Sequence, residues 1–145
     1  MRLNQASDFA LRIVMHLATE NEAVTIDSVA RHLGLVKSHV MKISAKLTQA
    51  NIITARRGRV GGILLARDPS HISVGEIVRL VENDFAVVEC MKGTLSNCTF
   101  LPGCRLRHTI HEATLAFMAV LDQQTIADIT VPAFPPSGDA NSVST

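Results

Sequence analysis

The feature that most constrains the fold of this 145-residue chain is a change of apolar period near residue 52. Before it, three segments carry apolar residues at helical spacing. Phe9, Ile13 and Leu17 share a face over residues 5–20, with Ala10, Val14 and Ala18 beside them. A short second segment covers 24–32, and a third, over 36–50, carries Val40, Ile43 and Leu47. Thr25 is placed to cap the second helix, Asp27 lies in its first turn, and Gly34 ends it. Asn51 follows the third helix, where a left-handed residue is tolerated. After the change come two β-prone runs, 52–55 and 63–66. They flank Arg56-Arg57-Gly58-Arg59-Val60-Gly61-Gly62, a turn of three arginines and three glycines. Helix, short helix, tight turn, helix, hairpin is the order of a winged helix-turn-helix.

The rest of the chain is read as helix, loop and helix. Ser73-Val74-Gly75-Glu76 has the capping-box pattern and predicts a fourth helix over 74–82. Leu106, Ile110, Ala113, Phe117 and Leu121 define a long helix over 105–123, and Thr125 with Asp128 caps one last short turn. Aromatic residues make up only 3% of the chain, with no Trp or Tyr, so the core must be aliphatic, which favours helices. The predicted class is mainly α, divided four ways: a winged helix-turn-helix over 1–82, a cysteine-rich loop over 83–104, a long helix and C-terminal turn over 105–130, and a disordered Pro/Ser/Gly tail over 131–145. No apolar run is long enough to cross a membrane, and the N-terminus lacks the apolar stretch of a signal peptide, so the expected location is cytoplasmic.

In such a fold the third helix lies in the major groove. Ser38, His39 and Lys42 fall on its polar side, opposite Val40, Ile43 and Leu47, and are the candidates to face base edges. Arg56, Arg57 and Arg59 at the hairpin tip would meet phosphate or reach into the minor groove. A net charge of +1 means that any nucleic-acid footprint is local. A polar helix face and an Arg/Gly turn are each ordinary surface features; their arrival in this order is what points to double-stranded DNA.

Cys90, Cys98 and Cys104 are the only cysteines, and the stretch that joins them is rich in turn formers. An odd number cannot all close into disulfides, and a reducing cytosol favours metal or redox roles for clustered thiols. Three thiolates with one further ligand suit an iron–sulfur cluster. With His108 as the fourth ligand they suit a structural zinc as well. No enzyme is indicated: the chain has no phosphate-binding glycine loop after a strand, no nucleophile–base constellation, and no Cys-x3-Cys-x2-Cys spacing.

Taken together, the opening Met1-Arg2-Leu3, the wing 57–62, the Ser73-Val-Gly-Glu-Ile-Val-Arg79 helix and three cysteines before a long helix resemble the Rrf-type iron–sulfur winged-helix regulators. Cys104-Arg-Leu-Arg107 and Thr125-Ile-Ala-Asp128 make the chain most similar to the nitric-oxide-sensing repressors of that family. The resemblance covers residues 1–130. It implies a homodimer built on crossed long helices, and a cluster, most simply 4Fe-4S with 2Fe-2S as the alternative, bound by Cys90, Cys98 and Cys104. It further implies repression of nitric-oxide detoxification genes. By the same resemblance Asp8 of the partner subunit is the fourth ligand; on local grounds alone, an aspartate in a first helical turn simply complements the helix dipole. His108 or water are rivals for that place. The cluster-biogenesis members of the family have a histidine three positions after the last cysteine, where this chain has Arg107. Iron- or redox-responsive sensing, as in other members of the family, is the alternative signal.

Overall fold

The structure, a computed structural model, describes residues 3–59, 61–92 and 98–130. Its elements in chain order are α1 (Gln5–Thr19), α2 (Ile26–Leu33), α3 (Lys37–Gln49), β1 (Ile53–Arg56), β2 (Gly62–Leu65), α4 (Val74–Val81), α5 (Arg105–Asp122) and α6 (Ile126–Ile129). The period change of the sequence is the boundary between α3 and the β1–β2 hairpin, and each expected helix is present within one or two residues of its expected ends. The expected disordered tail, the middle of the cysteine loop (93–97) and Val60 at the wing tip lie outside the described residues.

Local chemistry fixes most of the helix ends. The Thr25 hydroxyl accepts from the Ser28 N–H at 3.2 Å, and Gly34 at φ 63° turns the chain out of α2. Asn51 is the one non-glycine residue with positive φ, 56°, among the described residues. At α4 the expected box is half made: Ser73 Oγ accepts from the Glu76 N–H at 3.0 Å, but the Glu76 carboxylate instead takes Arg67 Nη2 at 2.6 Å. Ahead of α6 the box is complete, with Asp128 Oδ2 accepting from the Thr125 N–H at 2.8 Å and Thr125 Oγ1 accepting from the Asp128 N–H at 3.1 Å.

The core is aliphatic. Ala10, Ile13, Val14 and Leu17 of α1 pack with Val29 of α2, Val40 and Leu47 of α3, and Ile77, Val78 and Val81 of α4, all buried. Among the described residues no Phe is fully buried; Phe9, Phe85 and Phe117 are half-buried at the edge of this cluster. The antiparallel hairpin pairs Ile53 with Leu65 and Arg56 with Gly62. It is anchored by a contact that local patterning does not announce. Val24 and Ile63 exchange two backbone hydrogen bonds of 2.9 and 2.8 Å, which fasten the wing to the start of α2. At the other end of the molecule Val74 N–H donates to the Gln124 carbonyl, Ile126 N–H donates to the Ile72 carbonyl, and Arg79 forms a two-pronged bridge to Asp122 at 2.5 and 2.6 Å. These contacts hold α6 and the end of α5 against α4.

The apolar stripe of the long helix α5 is only partly covered. Within the protomer it buries Thr114 and Met118 and half-buries Ile110, Phe117 and Leu121, while Ala113 and Leu106 stay exposed. Leu106, Leu115 and Val120 are 62%, 52% and 60% exposed. Its apolar surface is wider than one protomer covers.

The wing anchor yields a test. A Cβ on Gly62 would lie 2.5 Å from the Val24 carbonyl oxygen, which is backbone and cannot swing aside. Gly62→Ala is expected to part the Val24–Ile63 bridge and cost about 1–3 kcal/mol, as overpacking does. Urea unfolding followed by far-ultraviolet circular dichroism measures this; a loss within about 0.5 kcal/mol would show that the approach is not tight.

Candidate functional site

The third helix presents the expected two faces. Val40, Ile43 and Leu47 are buried, and Ser38, His39 and Lys42 are exposed. Arg56, Arg57 and Arg59 are likewise exposed around the wing tip, where Gly58 takes φ 119° and the Gly61 N–H donates to the Gly58 carbonyl. These six residues therefore sit where solvent, or DNA, can reach them. Three details were not legible in the pattern. The His39 ring lies 5.8 Å from the Phe9 ring of α1, so this side chain also touches the body of the protein. Val36 and Met41 are 62% and 55% exposed beside Ser38 and Lys42, an apolar surface of the kind that meets thymine methyl groups. Finally, the residue at the cap position before α3 is Val36, which has no side-chain acceptor to offer the helix's first N–H groups. Such an unsatisfied N-terminus suits a phosphate oxygen.

The cysteines occupy the connection between α4 and α5. Cys90 lies in a short 3-10 turn, Glu89–Met91; Cys98 follows the undescribed stretch; Cys104 is the capping residue just before α5. All three are half-buried, and no disulfide joins them. Cys104 caps α5 without any side-chain hydrogen bond to the helix. Cys104 thus sits at the positive end of an 18-residue helix. Beside it opens a cavity of about 470 Å³ lined by Met91, Pro102, Cys104, Arg107, His108 and His111. Among the described residues no three His, Cys, Asp or Glu side chains are gathered as a metal site within the protomer. The donor chemistry fits an iron–sulfur group: soft sulfurs, half-buried, one of them at a helix N-terminus and on a cavity wall. His108 lines that cavity as well, four residues along α5 from Cys104.

Asp8 is on the first turn of α1, and its side chain is 60% exposed. It does not cap the helix. That task belongs to Asn4, whose Oδ1 accepts from the Ser7 N–H at 2.8 Å. Among the described residues the Asp8 carboxylate pairs with Arg12 one turn on, at 3.6 Å. Its carboxylate is therefore on the surface, with no buried structural duty. Asn4 does more than cap. Its backbone N–H and side-chain Nδ2 donate to the Glu82 carboxylate at 3.0 and 2.9 Å, and the buried Ser7 hydroxyl donates to the same group at 2.8 Å. Glu82 is the C-cap of α4 and the last residue before the cysteine-bearing connection. The turn that carries Asp8 and the start of that connection are thus bolted together, across 78 residues of sequence. No sequence period signals such a contact.

A helix-turn-helix with an anchored wing, an exposed recognition surface and a long helix with surplus apolar area is the architecture of a winged-helix DNA-binding regulator. Comparison with known proteins narrows this further. Residues 3–132 match the Rrf2 model, described as an iron-dependent transcriptional regulator, and the chain belongs to that family. It is 40% identical over 131 residues to the HTH-type transcriptional regulator NsrR of Bacillus subtilis (strain 168), covering 89% of this chain and 90% of that one. It is 33% identical over 130 residues to Protein aau3 of Rhizobium meliloti (strain 1021), covering 89% and 84%. Among solved structures the fold is similar to IscR of T. potens, with a TM-score of 0.74, 24% identity, and 89% and 85% of the two chains covered. It is equally similar to CymR, the global cysteine regulator of B. subtilis, with a TM-score of 0.73, 23% identity, and 90% and 96% covered. The chain is accordingly a transcriptional regulator and not an enzyme.

The buried histidine of α1 is a perturbed titratable group. His16 of α1 is buried, its ring stacked on that of His32 at 4.1 Å, and its Nε2 finds no hydrogen-bond partner. Burial pushes its pKa below the ordinary 6.5, the neighbouring His32 adds to this, and Glu20, 3.6 Å from Nδ1, opposes it. A base whose folded pKa is lowered binds fewer protons folded than unfolded, so its contribution is present above 6.5 and is lost as pH falls towards the folded value. Wild-type protein is expected to lose stability on acidification through this window, and His16→Phe to lose less. Parallel pH–stability curves for the two proteins would remove His16 as the cause.

Proposed function

We propose that this protein is a cytoplasmic, homodimeric repressor that senses nitric oxide through an iron–sulfur cluster, 4Fe-4S in the simplest form, and thereby controls nitric-oxide detoxification genes. The observation that carries the reading is the placing of three half-buried cysteines on the connection into α5, with Cys104 uncapped at the helix N-terminus, in a chain 32–40% identical to six relatives named NsrR. Cys90, Cys98 and Cys104 would hold the cluster. Asp8 of the partner subunit would complete it, since its exposed carboxylate has no capping duty at home.

Dimerisation rests on α5. Leu106, Leu115 and Val120 leave an apolar surface that a second α5 would cover. On DNA, Ser38, His39 and Lys42 would face base edges, and Arg56, Arg57 and Arg59 would neutralise phosphates. When bound, the cluster supplies an iron that a small diatomic molecule can attack, because a carboxylate is a weak ligand for it. The chain's own residues do the rest. Glu82, tied to Asn4 and Ser7, transmits a change in the loop to the start of α1, and the Phe9–His39 contact joins α1 to the recognition helix. A difference of about 1.4 kcal/mol between the two states changes operator affinity tenfold.

Protein purified without air is expected to be brown, with iron and acid-labile sulfide, and to lose operator binding after a few equivalents of nitric oxide. Cys98→Ala should be colourless. If nitric oxide leaves binding intact while a chelator abolishes it, the signal is iron, in keeping with the family's description as iron-dependent. A colourless wild-type protein with stoichiometric zinc would replace the cluster with a structural metal held by Cys90, Cys98, Cys104 and His108.

On the DNA side, Arg57→Ala is expected to weaken binding to all sequences and to lower the slope of affinity against salt by about one. Lys42→Ala should instead relax base preference, at about 1–3 kcal/mol per contacted pair. The reverse pattern in a salt titration against operator and mismatched duplexes would mean that wing and recognition helix have exchanged roles.

A further inference from the structure

The helix α2 has little apolar surface to hold it down. Of its eight residues only Val29 and Ala30 are buried, so its seat on α1 depends also on contacts at its edges. One of these is a pair of rings. His32, in the last turn of α2, lies flat on His16 of α1, with centroids 4.1 Å apart and planes at 11°. The His32 ring is exposed and His16 beneath it is buried. His16 Nδ1 faces Glu20 Oε1 at 3.6 Å, and among the described residues its Nε2 is buried without a hydrogen-bond partner. A neutral ring is tolerated there as a flat, largely apolar body. A protonated ring is not: its Nε2–H would be a buried donor with no acceptor, and its charge would lie against a second imidazole.

We propose that the His16–His32 stack is a proton-operated latch between α1 and α2, which seats the helix-turn-helix while His16 is neutral and releases it when His16 is charged, so that acid weakens DNA binding. The groups around the ring set the balance. Glu20, on the same helix, favours the charged form, and His32 from α2 opposes it. Arg12 of α1 is a permanent cation on the wall of the adjoining cavity, with its Nη2 on the Leu33 carbonyl at 2.5 Å. Ile129 and Thr130 reach the same cavity and do not titrate, while Asp128 of α6 is taken up by the Thr125 cap. That cavity, of about 780 Å³, gives water room to reach Nε2 once His32 lifts. Burial holds the proton affinity of seated His16 below the ordinary 6.5, so the released form gains as pH falls through this range. DNA binds the seated form, which keeps α2 and α3 in place, and by reciprocity must expel the proton.

The test uses the full chain purified without air and a duplex that the protein selects from a random-sequence pool. Affinity is measured at constant ionic strength between about pH 7.5 and about pH 5.5, comparing only samples whose visible spectrum is unchanged. Histidines on a DNA-binding face, His39 among them, gain charge in acid and tighten binding. His16 must act with the opposite sign. The affinity of wild type relative to His16→Phe is expected to fall by about fivefold across the range. A constant or rising ratio overturns the proposal. Should His16→Phe fail to fold by circular dichroism, Glu20→Gln takes its place. Without the carboxylate His16 holds a proton less well, so the fall should move to lower pH, and a fall that stays put or moves to higher pH overturns the latch. A second readout is the His16 ring resonance in nuclear magnetic resonance, titrated with and without the duplex. Its midpoint should drop by about half a unit or more on DNA, and equal midpoints overturn the proposal. Neither measurement involves the cysteines, so loss of the nitric-oxide response in the experiments above would leave the latch to be judged on its own.

Discussion

Everything in this molecule leans on α1. Its Ala10, Ile13, Val14 and Leu17 are buried against α2, α3, α4 and α6, so one helix forms the centre around which the others are arranged. The packing is aliphatic throughout, and aliphatic cores of this density respond to displacement as bodies, not as continuously deformable media. A shift at one end of α1 therefore reaches the elements packed on its flanks. Those flanks include the recognition helix on one side and, through α4, the cysteine-bearing connection on the other. A regulator that reads its signal in one place and DNA in another needs an element of this kind.

Helix capping marks where this chain departs from local rules. Asn4, Thr25, Ser73 and Thr125 each satisfy the first N–H groups of α1, α2, α4 and α6. The two exceptions are α3, whose cap position holds Val36, and α5, whose cap position holds Cys104. A missing cap usually costs about 1 kcal/mol, and exceptions of this sort tend to fall where function needs them. The uncapped N-terminus of α3 lies on the surface proposed for DNA. That of α5 carries one of the three cysteines. In both places an external group, a phosphate or an iron-bound anion, would supply the acceptor that the chain withholds.

The readable parts of the sequence were the ones governed by neighbours within a turn or two. Thr25, Gly34, Asn51 and Ser73 act on the backbone beside them, so their residue types announce the helix ends directly. The alternation of Val40, Ile43 and Leu47 with Ser38, His39 and Lys42 likewise states which face of α3 is buried. What the pattern could not state is which distant groups meet. The Val24–Ile63 bridge, the Asn4–Glu82 bonds and the Arg12–Leu33 contact join segments 39, 78 and 21 residues apart, and each uses backbone or polar atoms that carry no apolar period. Two further placements escape the pattern for the same reason. The helix cap of α1 is Asn4 with Asp8 left exposed, and the apolar stripe on α5 is only partly covered within the protomer, because both depend on what the third dimension brings alongside.

The magnitudes favour a small, polar switch over a rearranged core. A tenfold change in DNA affinity needs about 1.4 kcal/mol, which is the worth of a single hydrogen bond to a charged group. Moving α1 relative to its buried partners would instead expose several aliphatic side chains, each worth about 1.5–3 kcal/mol. The sparing route runs along the polar rim of α1. There Glu82 meets Asn4 and Ser7, Asp8 meets Arg12, and Phe9 meets His39, all within the first two turns of the helix. A change in any of these contacts alters how α1 presents itself to the helix-turn-helix without opening the aliphatic centre. The fold thus places its adjustable bonds where rearrangement is cheap, and its costly packing where the two ends must move together.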